Sequence, residues 1–402
     1  MNKAFLKNLA GDLMYSIAGL VVMNGVMQFF VSPYMNEHLS AVDGDNFLFF
    51  MALIGLMGSS FGSGTNYARM TISTKRESAN GDYNWFLLFA AAVSLAVTFA
   101  GMKMRSLSDP VLFVGISLVM IFSVLRYYSD VEFRLSLHYK KFCFFYVLIA
   151  IGYALGLLLF PLHKSWTWVI LLGEGAAVLY VIWKGTIFRG TIFQTSPCVK
   201  QNWSVMGALT LSYLMSDFVA YADRILMPFF GNAGDSYVFY AATVVGKIMA
   251  LMTTPLNGVI VGHLAKYKGK FTTQLFTTII AGILAVVAVM TAGSVLVSHV
   301  FVYVLYPKVY EQAKELLLAA NASQVFFFVS NTMMVIVLRF APERYQLYLG
   351  ISYTILFFAL VVPAVILWGL WGMAGGLLAI NVLKFCIISG MGLHYLRRRP
   401  AE

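Results

Sequence analysis

The chemically pointed features of this chain are ionisable and amide side chains set inside long apolar runs. Tyr213, Asp217, Tyr221 and Arg224 follow one another at intervals of four, four and three, so a helix carries all of them on one stripe. Asp223 adjoins Arg224 and is expected to point elsewhere. Thr243, Lys247 and Thr254 share a second helical face, Asn321, Gln324 and Asn331 a third, and Asn381 with Lys384 a fourth. The first half is thinner, with Asn24 and Gln28 one turn apart, Glu174 in the middle of one run and Arg126 near the end of another. Arg224, Lys247 and Lys384 have the chemistry to hold phosphate by charge-assisted hydrogen bonds. Asp217 and Glu174 have that of a carboxylate that binds a coupling proton or sodium ion, and Tyr213 and Tyr221 can stack on sugars. Each has a plainer reading beside it. An interhelical ion pair that only fixes a bundle accounts for Asp217, Lys247 and Lys384, packing for Glu174, snorkelling for Arg126 and an interfacial seat for the tyrosines.

The elements that must position these groups follow from composition. With 60% hydrophobic residues, 11% charged residues and a mean hydropathy of +0.79, the chain is read as a bilayer protein, because a soluble protein of this size has far less apolar content. Spans need roughly 20 apolar residues. Twelve candidate helices result, at 13–35, 47–68, 85–102, 111–128, 142–162 and 166–183, then at 205–230, 237–261, 275–297, 315–338, 345–367 and 372–393. Polar stripes facing lipid are unstable, so the stripes of the second half are expected to line a common interior. The run from Gly44 to Ala52 returns in similar form from Gly234 to Ala242, and in both places a proline, Pro33 or Pro228, closes the preceding apolar run. Such a repeat in a membrane chain suggests a transporter with its site between two halves. The longest connection, 184–202, is taken as the boundary between an N-terminal lobe 1–200 and a C-terminal lobe 201–402, six helices each.

Of the 28 Lys and Arg residues, only Lys103, Arg105, Lys164, Lys308 and Lys314 fall in loops on one side, and most others fall on the opposite side. Short basic loops stay in the cytoplasm, which places both termini there. The net charge of +11 is therefore a topology signal, and without a basic stripe outside the membrane no nucleic-acid partner is expected. The first apolar run is too long for a cleaved signal peptide. Cys143, Cys198 and Cys386 lack metal-ligand spacing and are expected as free thiols. Gly58 with Gly62, Gly152 with Gly156 and Gly372 with Gly376 are small-xxx-small pairs for close helix approach. Gly62-Ser63-Gly64 and Pro255 are read either as such contacts or as hinges.

The stretch Asp223 to Gly231, followed by Ser236-Tyr237, Lys247, Pro255-Leu256 and Leu264-Ala265, resembles the start of the second lobe of polysaccharide flippases. These are the Wzx-type members of the multidrug/oligosaccharidyl-lipid/polysaccharide (MOP) exporter superfamily. Gln28 to Tyr34, Asn66-Tyr67-Ala68-Arg69 and the glycine-rich Trp368 to Gly376 are similar to the same group. The lipid II flippase branch carries cavity-facing arginines on its first span, whereas here Asn24 and Gln28 occupy that face, which favours a polysaccharide repeat unit over a peptidoglycan precursor. The resemblance implies an all-α polytopic protein of two six-helix lobes around a central cavity, MOP/MATE-like, in the plasma membrane of a bacterial cell. It also implies transport of a polyprenyl-diphosphate-linked oligosaccharide by alternating access, coupled to an ion or to the potential. Neither a cofactor nor catalysis is expected; membrane lipids and polysaccharide-assembly proteins are the expected partners. Two other readings stand beside it. A multidrug or cation antiporter of the related branch wants an acidic cavity, and an integral-membrane glycosyltransferase would hold a metal on Asp43-Gly44-Asp45 with Glu37, residues that also suit an ordinary turn.

Overall fold

The computed structural model describes residues 3–73, 76–189, 192–250, 272–338, 340–342 and 344–398. Among them there is no strand. The second part of the expected eighth span, with Thr254, Pro255-Leu256 and Leu264-Ala265, lies outside the described residues, as do Lys75, Lys266, Lys268, Lys270 and Arg339. Among the described residues, ten helical segments are long and apolar enough to cross a bilayer. The last of them, Tyr348–Arg397, breaks at Gly369, whose φ of 53° and ψ of −124° are not helical, so it supplies both the eleventh and the twelfth expected spans. Helix Asp235–Ala250 is the described part of the eighth. The protein is all-α and polytopic, as the composition requires.

Two compact units divide the chain, Met1–Tyr221 and Ala222–Glu402. The first holds the segments Met14–His38, Ala41–Ile72, Asn80–Met104, Pro110–Leu135, Tyr139–His163 and Trp166–Lys184, together with most of the seventh-span helix Val199–Phe230. That helix is joined to the unit through Asp82, at the start of the third span. The Asp82 carboxylate accepts from the Ser196 amide at 2.8 Å, the Ser196 hydroxyl at 2.6 Å and the Asn202 amide at 2.9 Å. The connector is thus strapped to the first unit.

Large apolar side chains point outward in both units, among them Leu158, Leu162, Val289 and Leu296, while Glu174, Asp223, Asn321 and Asn381 are buried. This inversion is what lipid as solvent demands. Glycines set the closest approaches. A Cβ built on Gly152 would lie 2.5 Å from Gly173 Cα, and one on Gly156 2.5 Å from Val169 Cα, so the fifth and sixth spans touch backbone to backbone. Gly58 and Gly62 similarly seat Tyr127, and Gly372 meets the Ala364 carbonyl across the break at Gly369.

Pro33 closes an apolar run without ending the first span, which continues past it as the expected bounds 13–35 allow. The helix widens into a π turn at Met27–Val31 and continues as Ser32–His38. A proline lacks the N–H for the ordinary helical bond and its ring clashes with the carbonyl four residues back, and the wider turn accommodates both. The eleventh span repeats the device, with a π turn at Phe357–Val361 and Pro363 two residues on. Pro228 also falls inside its helix. A third π turn, Gly58–Ser63, occupies the Gly62-Ser63-Gly64 region. The echoed Gly-Asp segments both sit at helix starts: Ser40 caps Ala41–Met57 by accepting from the Asp43 amide, and Gly234, at φ 96°, leads into Asp235–Ala250, where Asp235 accepts from the Asn232 amide at 2.7 Å.

Candidate functional site

The second unit gathers the larger share of the polar residues singled out by spacing, and it does so in two clusters. The first is centred on Asp223, whose side chain is 4% exposed and bonds Lys247 Nζ through Oδ2. Arg224 Nε lies 3.8 Å from the other oxygen. Tyr240 offers its ring to both cations, 5.7 Å from the guanidinium carbon and 5.9 Å from Nζ. Asp223 was expected to point away from Arg224, being its neighbour in sequence. The long arginine side chain folds back and removes that separation.

The second cluster joins the helix Tyr310–Val337 to the eleventh and twelfth spans. Lys384, 8% exposed, donates to Asn331 Oδ1 at 2.8 Å and lies 4.4 Å from the Phe327 ring and 4.6 Å from the Tyr353 ring. Among the described residues no carboxylate pairs with it. Tyr353 donates to Asn381 Oδ1 at 2.9 Å, and the Asn381 amide donates to the Ser323 carbonyl at 3.1 Å and hydroxyl at 2.9 Å. One polar seam therefore links Ser323, Asn381, Tyr353, Lys384 and Asn331.

Asn321 and Gln324 are packing groups in this arrangement. Asn321 is fully buried, donates to the Ala242 and Leu317 carbonyls at 3.2 and 2.8 Å, and accepts from Ser298 at 3.2 Å. Gln324 fills the space beside Gly246, where an added Cβ would stand 2.7 Å from its own Cβ. Thr243 turns its hydroxyl back to the Phe239 carbonyl at 3.0 Å.

In the first unit, the seventh-span stripe lies along the second span. Tyr213 stacks on Tyr67 at 5.9 Å, Asp217 accepts from Ser216 at 3.4 Å and interacts with Ser59, and the Tyr221 hydroxyl closes on Gly55. The stripe is therefore divided, since Arg224 belongs to the Asp223 cluster. Asn24 donates to its own helix at the Leu20 carbonyl, 2.8 Å away. Gln28 is half-buried within the first π turn. Glu174 is 2% exposed and occupied on both oxygens. Arg126 reaches it at 2.8 and 3.3 Å, and the Tyr153 hydroxyl at 2.7 Å. Arg126 does not snorkel: it is 5% exposed, with its guanidinium carbon 3.7 Å from the Tyr127 ring centroid. A buried acid on an adjacent span holds it inside more strongly than the interface draws it out.

Asp223, Tyr353 and Phe327 were missing from the residues expected at a site. An acid at membrane depth was a sufficient signal for Asp223. Nothing in the chain distinguishes Tyr353 among 22 tyrosines or Phe327 among 33 phenylalanines. Cys143, Cys198 and Cys386 are free thiols, as expected. The acidic Asp43 accepts from Ser40 Oγ at 2.6 Å, within the cap of its own helix.

No protein-family model and no curated protein matches this sequence. Solved structures do resemble it. A lipid II flippase, MurJ, in an inward-closed conformation superposes with a TM-score of 0.72 at 13% identity, covering 94% of this chain and 86% of that one. An inward-facing multidrug-resistance MATE transporter of the MOP superfamily gives 0.63 at 13% identity, over 96% and 100% of the two chains. The Vibrio cholerae MATE transporter VcmN, as a mutant, gives 0.58 at 12% identity, over 99% of each. The chain is thus a polytopic membrane protein with the fold of the MOP superfamily.

Proposed function

We propose that this protein is a MOP-superfamily transporter that flips a polyprenyl-diphosphate-linked oligosaccharide from the inner to the outer leaflet by alternating access, for cell-surface polysaccharide assembly. The observation that carries the reading is Lys384, buried beside Asn331 and two aromatic faces with no carboxylate among the described residues. A cation at such depth is costly unless it serves a ligand, and a phosphate supplies the missing negative charge by charge-assisted hydrogen bonding. Asn331, Asn381 and Tyr353 offer amide and hydroxyl groups suited to sugar hydroxyls. Arg224 and Lys247, gathered at Asp223, are assigned to a second point for an anion. In the first unit, Asn24, Gln28, Tyr213 and Tyr221 are assigned to sugar contacts; in the second, Asn321 and Gln324 fix the helices. The substrate's sugars and phosphates would each lose hydration on crossing hydrocarbon, and a polar path removes that barrier.

The coupling ion, a proton or sodium, falls to Asp217, whose carboxylate meets hydroxyls and no cation among the described residues. Glu174 is already held by Arg126 and Tyr153. Moving one charge through 100 mV is worth about 2.3 kcal/mol, so the potential also bears on direction. The test is flipping of a fluorescent diphosphate-linked oligosaccharide in proteoliposomes. Lys384→Gln is expected to slow it about tenfold or more, since hydrogen bonds to charged groups contribute roughly 1.5–3 kcal/mol, with Lys384→Arg intermediate and Lys103→Gln unchanged. Unaltered flipping in Lys384→Gln, or export of cationic drugs in its place, would overturn the reading.

A further inference from the structure

A groove of about 700 Å³ runs along the outside of the first unit between the fifth and sixth spans, Tyr139–His163 and Trp166–Lys184. Phe144, Leu148, Ala176, Leu179, Tyr180 and Trp183 line it. This size falls within the roughly 300–1,000 Å³ of ordinary ligand pockets, yet the walls are almost wholly apolar. The polar groups are collected at one end. Arg189 is part of the lining and is fixed there by donating to the Trp183 carbonyl. Lys184 Nζ sits 3.7 Å from the Trp183 ring centroid. Glu132, the neighbouring acid, accepts from the Thr186 and Ile187 amides at 2.8 and 3.0 Å and, among the described residues, forms no ion pair with Arg189 or Lys184.

We propose that this groove is a binding site for one anionic phospholipid of the surrounding bilayer, its acyl chain against Phe144, Leu179 and Trp183 and its phosphate at Arg189 and Lys184. Charge complementarity commits the occupant. A recess in the belt that meets hydrocarbon is bathed in acyl chains, and the two basic residues at one end select an anionic head group from among the lipids present. That end is the one the distribution of Lys and Arg assigns to the cytoplasm, where anionic lipids attract basic residues near the membrane surface. The site lies wholly within the first unit and is independent of what is transported.

Trp183 provides a local reporter. Its contribution to fluorescence, taken as the difference between the full protein and Trp183→Phe, is measured in vesicles containing brominated phosphatidylglycerol or brominated phosphatidylcholine at equal mole fraction. The anionic lipid should quench it preferentially. Arg189→Gln and Lys184→Gln should each reduce that preference about fivefold, the effect of one basic residue near the surface. Ala176→Phe, which fills the groove and leaves the charges, should abolish it, while the exposed rim variants read the same site without disturbing packing. Equal quenching by the two lipids, or a preference untouched by the rim variants, would overturn the proposal.

Discussion

Asp223 holds Lys247 and faces Arg224, whereas Lys384 has an amide oxygen and two rings. The two lysines therefore respond differently to mutation. Asp223→Ala takes its carboxylate from Lys247 and Arg224 and is expected to cost about 3–5 kcal/mol, seen as a lowered thermal unfolding midpoint of the solubilised protein. The Asp223→Ala/Lys247→Ala double variant should recover most of that loss. Lys384→Met replaces a buried cation by an apolar group of similar length, so the unfolding midpoint should hold or rise while flipping is lost. A large fall in stability would mean that Lys384 serves the bundle alone. Asp217→Asn should remove the dependence of transport on an ion gradient in vesicles, and unchanged dependence would take the residue out of that role.

The helices owe their close contacts to glycines at particular places. Gly152→Leu would drive a side chain into the Gly173 backbone, where even a Cβ stands 2.5 Å away. Overpacking of this kind costs about 1–3 kcal/mol or more, and thermal unfolding should show it. Gly175→Ala, with nothing within 4 Å of the added carbon, should instead be neutral or stabilising by up to about 1 kcal/mol. The small-residue spacing at Gly152 and Gly156 was visible in the sequence, but not that Gly173 and Val169 were the partners. Periodicity says which face of a helix is small and is silent on which neighbour fills it. The same limit hid the π turns at Met27–Val31 and Phe357–Val361, because a proline inside an apolar run marks a perturbed helix without showing whether the helix kinks or widens there.

At the scale of the whole molecule, sidedness is the property the basic loops bear on. With Cys143, Cys198 and Cys386 replaced, a cysteine introduced by Lys164→Cys should react with an impermeant maleimide from outside intact cells. One introduced by Lys140→Cys should react only after permeabilisation. The reverse pattern would invert the topology. Deleting the gene should leave lipid-linked oligosaccharides on the inner leaflet; normal sidedness with altered sugar composition would favour an enzyme.

Sequence alone determined that the chain is a bundle of membrane-crossing helices, roughly where those helices run and that Lys384 is buried, because the cost of placing polar groups in hydrocarbon depends on local composition. The partners of Lys384, Lys247, Arg126 and Glu174 were decided only by the tertiary structure. A charge on one helix meets an amide, a ring or an acid on another according to how the helices rotate and cross, and that packing is a property of the assembled fold. Whether a buried cation is neutralised or left for a ligand depends on this pairing, and so the chemistry of the site emerged only when the helices were brought together.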